Sequence, residues 1–247
     1  MKKRVLIPIL VLCLLLLSLW LYLRQEAPAD PINYQAMVSD DQVTVTESKD
    51  DIVFTPAGGK TTVALVYYPG GNVAPQSFAY AGRGIAEAGF QVIILKVPFA
   101  LAIFDIGAAY PYPDRYPEIE HWYLSGFSLG GTAACFALAK QDTRFEALIL
   151  YASYTDAKHS LRDAGLRVLS ISGSNDGLAT PQKIEAGKAF LPSDTRFLVI
   201  EGANHTQFAL YGGGKIQKND TKAGIEAMAQ QKLVIEHTVA FLQESLQ

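Results

Sequence analysis

The sequence has few cysteines and none of the common signatures of metal or nucleotide binding. Its 247 residues include only Cys13, inside an apolar run, and Cys135, inside an alanine-rich stretch, so a fold held together by disulfides is excluded. There is no H-E-x-x-H pair, no paired cysteine ligands and no Walker loop, and Gly82-Arg83-Gly84 lacks the third glycine of a dinucleotide fingerprint. We therefore expect no metal and no other cofactor.

Charged residues are also few, and basic residues are outnumbered. Only 18% of the residues are charged, and 21 basic side chains face 24 acidic ones. The first 24 residues hold four of the basic side chains and no acidic one, so the remaining 223 residues have 17 basic against 24 acidic side chains, a net charge of −7. A phosphate backbone would be repelled by such a body. Nucleic acid is therefore not an expected partner.

The N-terminus carries one long uncharged run. Val5–Leu23 contains 19 residues, which as a helix would span roughly 28 Å, close to the thickness of the hydrocarbon layer of a bilayer. Three basic residues at positions 2–4 outweigh the single Arg24 on the other side of the run, which favours a cytoplasmic start and an exported body. We predict that residues 1–24 form a membrane anchor or a signal segment and that the protein lies at the cell membrane.

Two alternatives remain open for this run. A cleaved signal peptide would give a secreted protein, although Ala27-Pro28-Ala29 is a poor cleavage site because of its proline. A buried helix of the soluble body would be expected to have a polar face, which the run lacks. Residues 25–41 are polar and contain Pro28 and Pro31, so we predict a spacer that lifts the body off the membrane.

Residues 42–247 alternate between apolar runs typical of buried strands and segments with helical spacing. The predicted strands are Gln42–Glu47, Asp51–Thr55, Thr61–Tyr68, Gln91–Val97, Trp122–Ser125, Ala147–Tyr151, Arg167–Ser172 and Arg196–Ile200. Helices are predicted around Phe78–Ala88, over Gly131–Lys140, from Pro181, and around Val234–Leu242. This order predicts one α/β domain with a mostly parallel, doubly wound sheet and helices on both faces.

The stretch Phe99–Tyr116 does not follow this scheme. It is rich in proline, tyrosine and alanine, and we predict a helix followed by a loop along the rim of a pocket. Its aromatic residues suggest either an apolar pocket or ordinary core packing; they include Phe99, Phe104, Tyr110 and Tyr112.

A candidate nucleophile lies between a predicted strand and a predicted helix. Gly126–Gly130 reads GFSLG, which fits G-x-S-x-G, the turn that exposes a serine hydroxyl above a parallel sheet. Small residues follow it at Gly131–Ala134 and would allow the helix to pack closely on the sheet. Ser128 needs a base within hydrogen-bond reach and a third group that orients the base.

His205 is the best candidate for the base. It follows the predicted strand Arg196–Ile200 in the loop Gly202–His205, at the edge of the sheet where parallel α/β folds place their sites. The other three histidines have plainer interpretations as surface or partly packed residues; they are His121, His159 and His237.

The acid should lie between these two residues in the chain, also at a strand end. Asp176 follows the predicted strand Arg167–Ser172, 48 residues after Ser128 and 29 before His205, which fits the order serine, acid, histidine. Aspartate also favours such turns for structural reasons alone. Asp156, after the preceding strand, is the second candidate.

A hydrolytic serine also needs donors for the oxyanion of its intermediate. The backbone amide of Leu129, which follows the serine, would supply one. The second is expected from the loop Gly70–Asn72 after the strand Thr61–Tyr68, with Gly71 as first candidate. An ordinary tight turn would explain this Pro-Gly-Gly sequence equally well.

Three blocks taken together resemble the α/β-hydrolase superfamily, in particular its small, single-domain esterase-like branch of membrane-anchored or exported bacterial proteins. They are GFSLGG at Gly126–Gly131, ISGSNDGLATP at Ile171–Pro181 and GANHTQFALYG at Gly202–Gly212, and the resemblance runs from about Gln42 to the end. It implies an α/β-hydrolase fold with Ser128 as nucleophile, Asp176 as acid and His205 as base.

The chain departs from many relatives in the oxyanion loop, where Pro69 stands before Gly70 in place of a His-Gly pair. Only about 15 residues separate Tyr151 from Arg167, the usual place of a cap domain. We therefore expect no large cap and a fairly open pocket.

The resulting hypothesis is a serine hydrolase that cleaves carboxylic esters through an acyl-enzyme on the outer side of the cytoplasmic membrane. Its substrate would be a small-molecule or lipid-like ester. The same residues would serve a thioesterase, an amidase or peptidase, or an acyltransferase, and a catalytically silent, membrane-anchored binding module is an alternative of another class. The sequence carries no signal for an oligomeric state.

Overall fold

The computed structural model describes residues 8–15, 17–18, 26–58, 61–140 and 144–244. Much of the predicted apolar span Val5–Leu23 lies outside these residues, and its described parts, 8–15 and 17–18, are helical. Among the residues that the structure describes, no helix is both long enough and apolar enough to pass through a bilayer.

The described part of the chain forms one eight-stranded sheet in the order β1-β2-β4-β3-β5-β6-β7-β8. Its strands are β1 (Val43–Glu47), β2 (Asp51–Pro56), β3 (Val63–Tyr68), β4 (Gln91–Leu95), β5 (His121–Phe127), β6 (Phe145–Tyr151), β7 (Arg167–Gly173) and β8 (Arg196–Ile200). The pairs β1/β2 and β2/β4 are antiparallel, and every pair from β4 to β8 is parallel. The predicted mostly parallel sheet is confirmed.

Helices cover both faces of this sheet. They are α1 (Pro31–Ala36), α2 (Ala79–Glu87), α3 (Tyr112–Arg115), α4 (Leu129–Ala139), α5 (Pro181–Gly187) and α6 (Ala227–Gln243). The apolar residues of α1, α2, α5 and α6 belong to the core on one face, and those of α3 and α4 belong to the core on the other. Strands β3 and β4 are buried along their whole length, as their continuous apolar runs predict.

The described residues place no large cap over the sheet. The chain from β6 to β7 contains a single 3-10 turn, Ala157–His159, so the expected absence of a cap between Tyr151 and Arg167 is confirmed for a segment that the structure describes without a gap.

The predicted spacer covers residues 25–41, and its described part, residues 26–41, packs against the domain. Ala27 pairs with Val73 and Ala29 with Tyr211 through isolated β-bridges. Within α1 the side chain of Asn33 is fully buried, where its amide donates to the Leu210 carbonyl at 2.7 Å and its oxygen accepts from the Tyr80 N–H at 3.1 Å. These contacts join residues that are distant in sequence, so the polar composition of the segment did not reveal them.

The predicted helix followed by a loop in Phe99–Tyr116 has the reverse order in the structure, because the short helix α3 lies near the end of the stretch. Two 3-10 turns, Pro98–Ala100 and Ala102–Phe104, precede it, and the backbone at Phe99 has a positive φ of 56°. Tyr112 is buried, whereas Phe99 and Phe104 are exposed. The aromatic residues of this stretch are therefore divided between core and surface.

Candidate active site

Ser128 lies on a sharp turn between β5 and α4. Its backbone adopts φ 52° and ψ −120°, a left-handed conformation that non-glycine residues rarely adopt. Two hydrogen bonds hold the turn: the Ser128 N–H donates to the Tyr151 carbonyl at 3.0 Å, and the Ser153 hydroxyl donates to the Ser128 carbonyl at 2.7 Å. The turn therefore presents the serine hydroxyl at the carboxyl edge of the sheet.

The glycines around Ser128 are required by close backbone contacts. A Cβ at Gly126 would lie 2.4 Å from the carbonyl carbon of Gly130, and a Cβ at Gly130 would lie 2.2 Å from the carbonyl oxygen of Tyr68. Because both neighbours are backbone atoms, neither can move aside as a flexible side chain would. The G-x-S-x-G pattern thus has a steric cause in this fold.

The structure brings the three predicted site residues together. His205 Nε2 lies 2.9 Å from Ser128 Oγ, and His205 Nδ1 lies 2.8 Å from Asp176 Oδ2. His205 is 1% exposed and Asp176 3% exposed. The ring of Phe127 packs against the imidazole at a centroid distance of 4.7 Å. Ser128 and His205, which are 77 residues apart in the chain, are therefore linked with Asp176 by a row of two hydrogen bonds.

The other oxygen of Asp176 fixes the direction of its carboxylate. Oδ1 accepts from the backbone N–H groups of Leu178 and Ala179 at 2.8 and 2.7 Å. These two donors occupy one oxygen, so the other is directed at His205. With Nδ1 donating to Asp176, Nε2 of the neutral imidazole is left as an acceptor for the serine hydroxyl.

The remaining histidines and the second acid candidate lie elsewhere. Asp156 is exposed and is bonded to His159, whose Nδ1 lies 2.9 Å away. That hydrogen bond lowers the pKa of the Asp156 carboxyl. His121 faces Glu146 at 2.9 Å, and His237 lies half-buried on α6.

The two residues predicted to supply the oxyanion donors, Leu129 and Gly71, are close neighbours. Leu129 is the first residue of α4, where backbone N–H groups have no partner within the helix and attract negative charge. A Cβ at Gly71 would lie 3.0 Å from Leu129 Cδ2, so the main chain of Gly71 passes close to it. The neighbouring Asn72 N–H donates to the Ala100 carbonyl at 2.9 Å. The role of Gly71 as second donor stays a prediction.

A cleft of about 350 Å³ opens beside Ser128. Its lining includes Leu129, Tyr154, Leu178 and Lys183. None of the four aromatic residues singled out between Phe99 and Tyr112 is among the residues that line it.

Sequence reasoning missed Asp220, which joins the loops that carry the acid and the base. One oxygen accepts from the N–H groups of Gly177 at 3.0 Å and His205 at 3.4 Å, and the other accepts from the hydroxyl and N–H of Thr206 at 2.6 and 2.8 Å. Asp220 lies in a polar stretch with no strand before it. A search restricted to strand ends therefore could not find it.

The pKa of Asp220 reflects this position. Burial disfavours its charged form, but the hydrogen bonds from Thr206, Gly177 and Thr221 outweigh burial and keep the pKa of the carboxyl below its ordinary value of 3.8. Because the pKa is lower in the folded than in the unfolded chain, the carboxylate stabilises the fold at neutral pH. This stabilisation disappears as the pH falls through the folded-state pKa.

Asp220→Asn should lower kcat by about 10- to 100-fold while leaving the chain folded, because an amide NH2 would face one of the two sets of donors and shift the loops relative to each other. The variant should also be less stable than wild type in urea at neutral pH, with a smaller difference in acid. Asp163→Asn, at an exposed position, is the matched control. Wild-type kcat in Asp220→Asn would show that the loops hold their positions without this carboxylate.

Comparison with solved structures finds several proteins that share this fold. A predicted CIB-like hydrolase from Thermoplasma acidophilum is 14% identical, with a TM-score of 0.58 over 82% of this chain and 98% of that one. Est1E from Butyrivibrio proteoclasticus is 12% identical, with a TM-score of 0.58 over 83% and 99%. The propionate-bound esterase Est2 from Thermogutta terrifontis is 19% identical, with a TM-score of 0.55 over 83% and 94%. At such identities the likeness establishes the fold alone.

Sequence comparison gives a direct assignment. No curated protein matches the chain. The family model described as the alpha/beta hydrolase family matches residues 64–232, a range that begins in β3, ends in α6 and includes Ser128, Asp176 and His205. Since this match spans more than half of the 247 residues, the chain belongs to the alpha/beta hydrolase family.

Proposed function

We propose that the protein is a serine hydrolase that cleaves carboxylic esters through a Ser128-His205-Asp176 triad. The observation that carries this proposal is the row of two hydrogen bonds, 2.9 and 2.8 Å long, from the Ser128 hydroxyl through the His205 ring to the Asp176 carboxylate. A serine hydroxyl is a weak nucleophile without such a base. The same row also orients the histidine for proton transfer.

The first half of the reaction forms an acyl-enzyme. Ser128 Oγ attacks the carbonyl carbon of the ester while its proton passes to His205 Nε2, and Asp176 stabilises the resulting imidazolium. The backbone N–H of Leu129, together with that of Gly71, would hold the negative oxygen of the tetrahedral intermediate. Each such donor contributes about 3 kcal/mol of transition-state stabilisation. Collapse of the intermediate breaks the bond to the alcohol, which leaves with the proton from Nε2.

The second half releases the acid. Water takes the place of the alcohol, gives a proton to His205 Nε2, and attacks the acyl carbon. The second tetrahedral intermediate expels Ser128 Oγ, which recovers its proton. The cleft beside Ser128 is open to one side, and the fully described segment between β6 and β7 adds no cap, which supports a substrate that reaches the serine from solvent or from a nearby surface.

One of the similar solved structures, Est2 from Thermogutta terrifontis, is described as an esterase, which supports an ester as substrate. The same triad would act on thioesters or amides, or would transfer the acyl group to another acceptor. A binding module without activity is the less favoured hypothesis, because binding alone would not require the hydrogen bonds that join Ser128, His205 and Asp176.

We also propose that Val5–Leu23 anchors the protein in the cytoplasmic membrane, with the domain on the outer side. The support is the length of the uncharged run and the basic residues at positions 2–4.

A substrate panel tests the assignment. Matched p-nitrophenyl esters, thioesters and p-nitroanilides of one acyl group should show the highest kcat/KM for the ester, and added alcohol should compete weakly with water for the acyl group. Hydrolysis of anilides alone would refute the ester assignment, and preferential transfer to the alcohol would identify an acyltransferase instead.

A further inference from the structure

The chain that leaves the predicted membrane anchor enters the domain beside the loop that is predicted to supply the second oxyanion donor. The Ala27 N–H donates to the Asn72 carbonyl at 2.8 Å, and the Ala27 carbonyl accepts from the Ala74 N–H at 3.0 Å. Asn72 follows Gly71, the candidate oxyanion residue. On its other side the segment is held by the Gly212 N–H, which donates to the Pro28 carbonyl at 2.9 Å. The entry point therefore lies between the loop after β3 and the loop that follows His205.

The connection from Leu23 to Ala27 is short. Four residues reach at most about 14 Å even when they are fully extended. If Leu23 ends a membrane span, Ala27 lies within that reach of the hydrocarbon boundary, and Asn72 is hydrogen-bonded to Ala27. The amino edge of the sheet is farther away, because a strand of seven residues such as β5 is itself about 23 Å long.

Exposed apolar side chains lie on the loop that is bonded to Asn72 and in the cleft that Ala27 lines. Phe99, Ile103, Phe104 and Ile216, together called the apolar rim, are 41%, 45%, 56% and 49% exposed. The first three belong to the loop whose Ala100 carbonyl accepts from the Asn72 N–H. Ile216 lines a cleft of about 470 Å³ together with Ala27 and Gly71.

The composition of the rim matches a lipid surface. Phe99 and Phe104 are in edge-to-face contact at a centroid distance of 5.8 Å. Because both are exposed, the two rings form one apolar protrusion on the surface. Lys215 lies beside Ile216 in the same cleft and is exposed, where it can meet the headgroups of anionic lipids. Aromatic and aliphatic side chains flanked by lysine are typical of surfaces that enter the boundary between headgroups and acyl chains.

We propose that the apolar rim docks on the outer surface of the bilayer in which the protein is anchored, so that the mouth of the active site faces the membrane. This inference rests on the proposed anchorage. The site would then receive esters carried in or on the bilayer, and the amino edge of the sheet would point away from it.

Site-specific quenching by lipid tests this orientation in the full chain. The exposed Cys13 is replaced by serine, the buried Cys135 is kept, and single cysteines are introduced by Phe104→Cys, Ile216→Cys and Glu118→Cys. Glu118 is exposed and precedes β5, at the opposite edge of the sheet. Each cysteine carries an environment-sensitive nitrobenzoxadiazole label, and the protein is reconstituted into phosphatidylcholine vesicles that contain brominated phosphatidylcholine.

Labels at positions 104 and 216 should be quenched about threefold more than the label at position 118, because the rim would enter the region 5–10 Å deep at the headgroup boundary. Equal quenching at all three positions, stronger quenching at position 118, or failure of the chain to float with the vesicles would overturn the proposal. Labelling with a fluorophosphonate reports the proposed chemistry separately. A reactive chain without quenching at the rim refutes the orientation alone, whereas a quenched but unreactive chain refutes the triad alone.

Discussion

Ser128→Ala should lower kcat/KM for ester hydrolysis by at least about 10⁴-fold, because no acyl-enzyme can form without the hydroxyl. The fold should persist, since the turn at this position is held by backbone groups: the N–H bonded to Tyr151 and the carbonyl bonded to Ser153. Steady-state kinetics with a p-nitrophenyl ester, together with circular dichroism and thermal unfolding, measures both effects.

His205→Ala should cause a loss of similar size, and the variant with both substitutions should be no slower than either single one, because the two residues act as a unit. Ser160→Ala, an exposed serine outside the cleft, is the matched control and should keep wild-type kinetics. Losses that multiply in the double variant would mean that the two side chains act independently, contrary to the hydrogen bond between them.

Asp176→Asn should lower kcat by about 10⁴-fold through the tautomer of the histidine. The two N–H groups of Leu178 and Ala179 point at one oxygen of the side chain, so the carbonyl oxygen of an asparagine would face them and its NH2 would face His205. Nδ1 must then accept a hydrogen bond, and the proton moves to Nε2. Nε2 can no longer take the proton of the Ser128 hydroxyl.

The matched control is Asp156→Asn, which makes the same change in an aspartate that also contacts a histidine, His159, but outside the cleft. Its kcat should equal that of wild type. The chemical shift of the His205 ring protons and nitrogens in Asp176→Asn, measured by NMR, would show the change of tautomer directly. A small loss in Asp176→Asn would refute its role as the acid, and a large loss in Asp156→Asn beside it would identify Asp156 as the working acid.

The core of the fold was predictable because its strands are buried on both faces and therefore appear as continuous apolar runs. The run Gln91–Val97 predicts β4, which spans Gln91–Leu95, and the short run Trp122–Ser125 predicts β5, which extends to Phe127. The helix predicted over Gly131–Lys140 begins two residues earlier, at Leu129. Glycine has a low helix propensity, so the propensities of Gly130 and Gly131 do not predict a helix there. The helix begins at Leu129 because the sharp turn at Ser128 comes directly before it.

The location of the candidate site was predictable because parallel strands have their carboxyl ends at the same edge of the sheet. Residues after β5, β7 and β8 had to lie near each other once the strand order was known, and Ser128, Asp176 and His205 do. Their catalytic roles, and that of Gly71, stay predictions that the variants above test.

Features that depend on contacts distant in sequence were not predictable. Residues 26–41 resemble a linker in composition, yet Asn33 is buried between Leu210 and Tyr80. Asp220 likewise gives no local signal, because its function in the fold is to join two loops that the sequence separates. In both cases the polar side chain bonds mainly to backbone groups distant in sequence, and a hydrophobic pattern contains no information about such pairs.

The central claim is that Ser128 is a covalent nucleophile activated by its neighbours, and the most direct measurement is the site of modification by a fluorophosphonate. Mass spectrometry of the treated wild-type protein should show one adduct per chain, mapped to the peptide that contains Ser128, and slower labelling in His205→Ala. An unmodified chain, or an adduct on a different residue, would contradict the account.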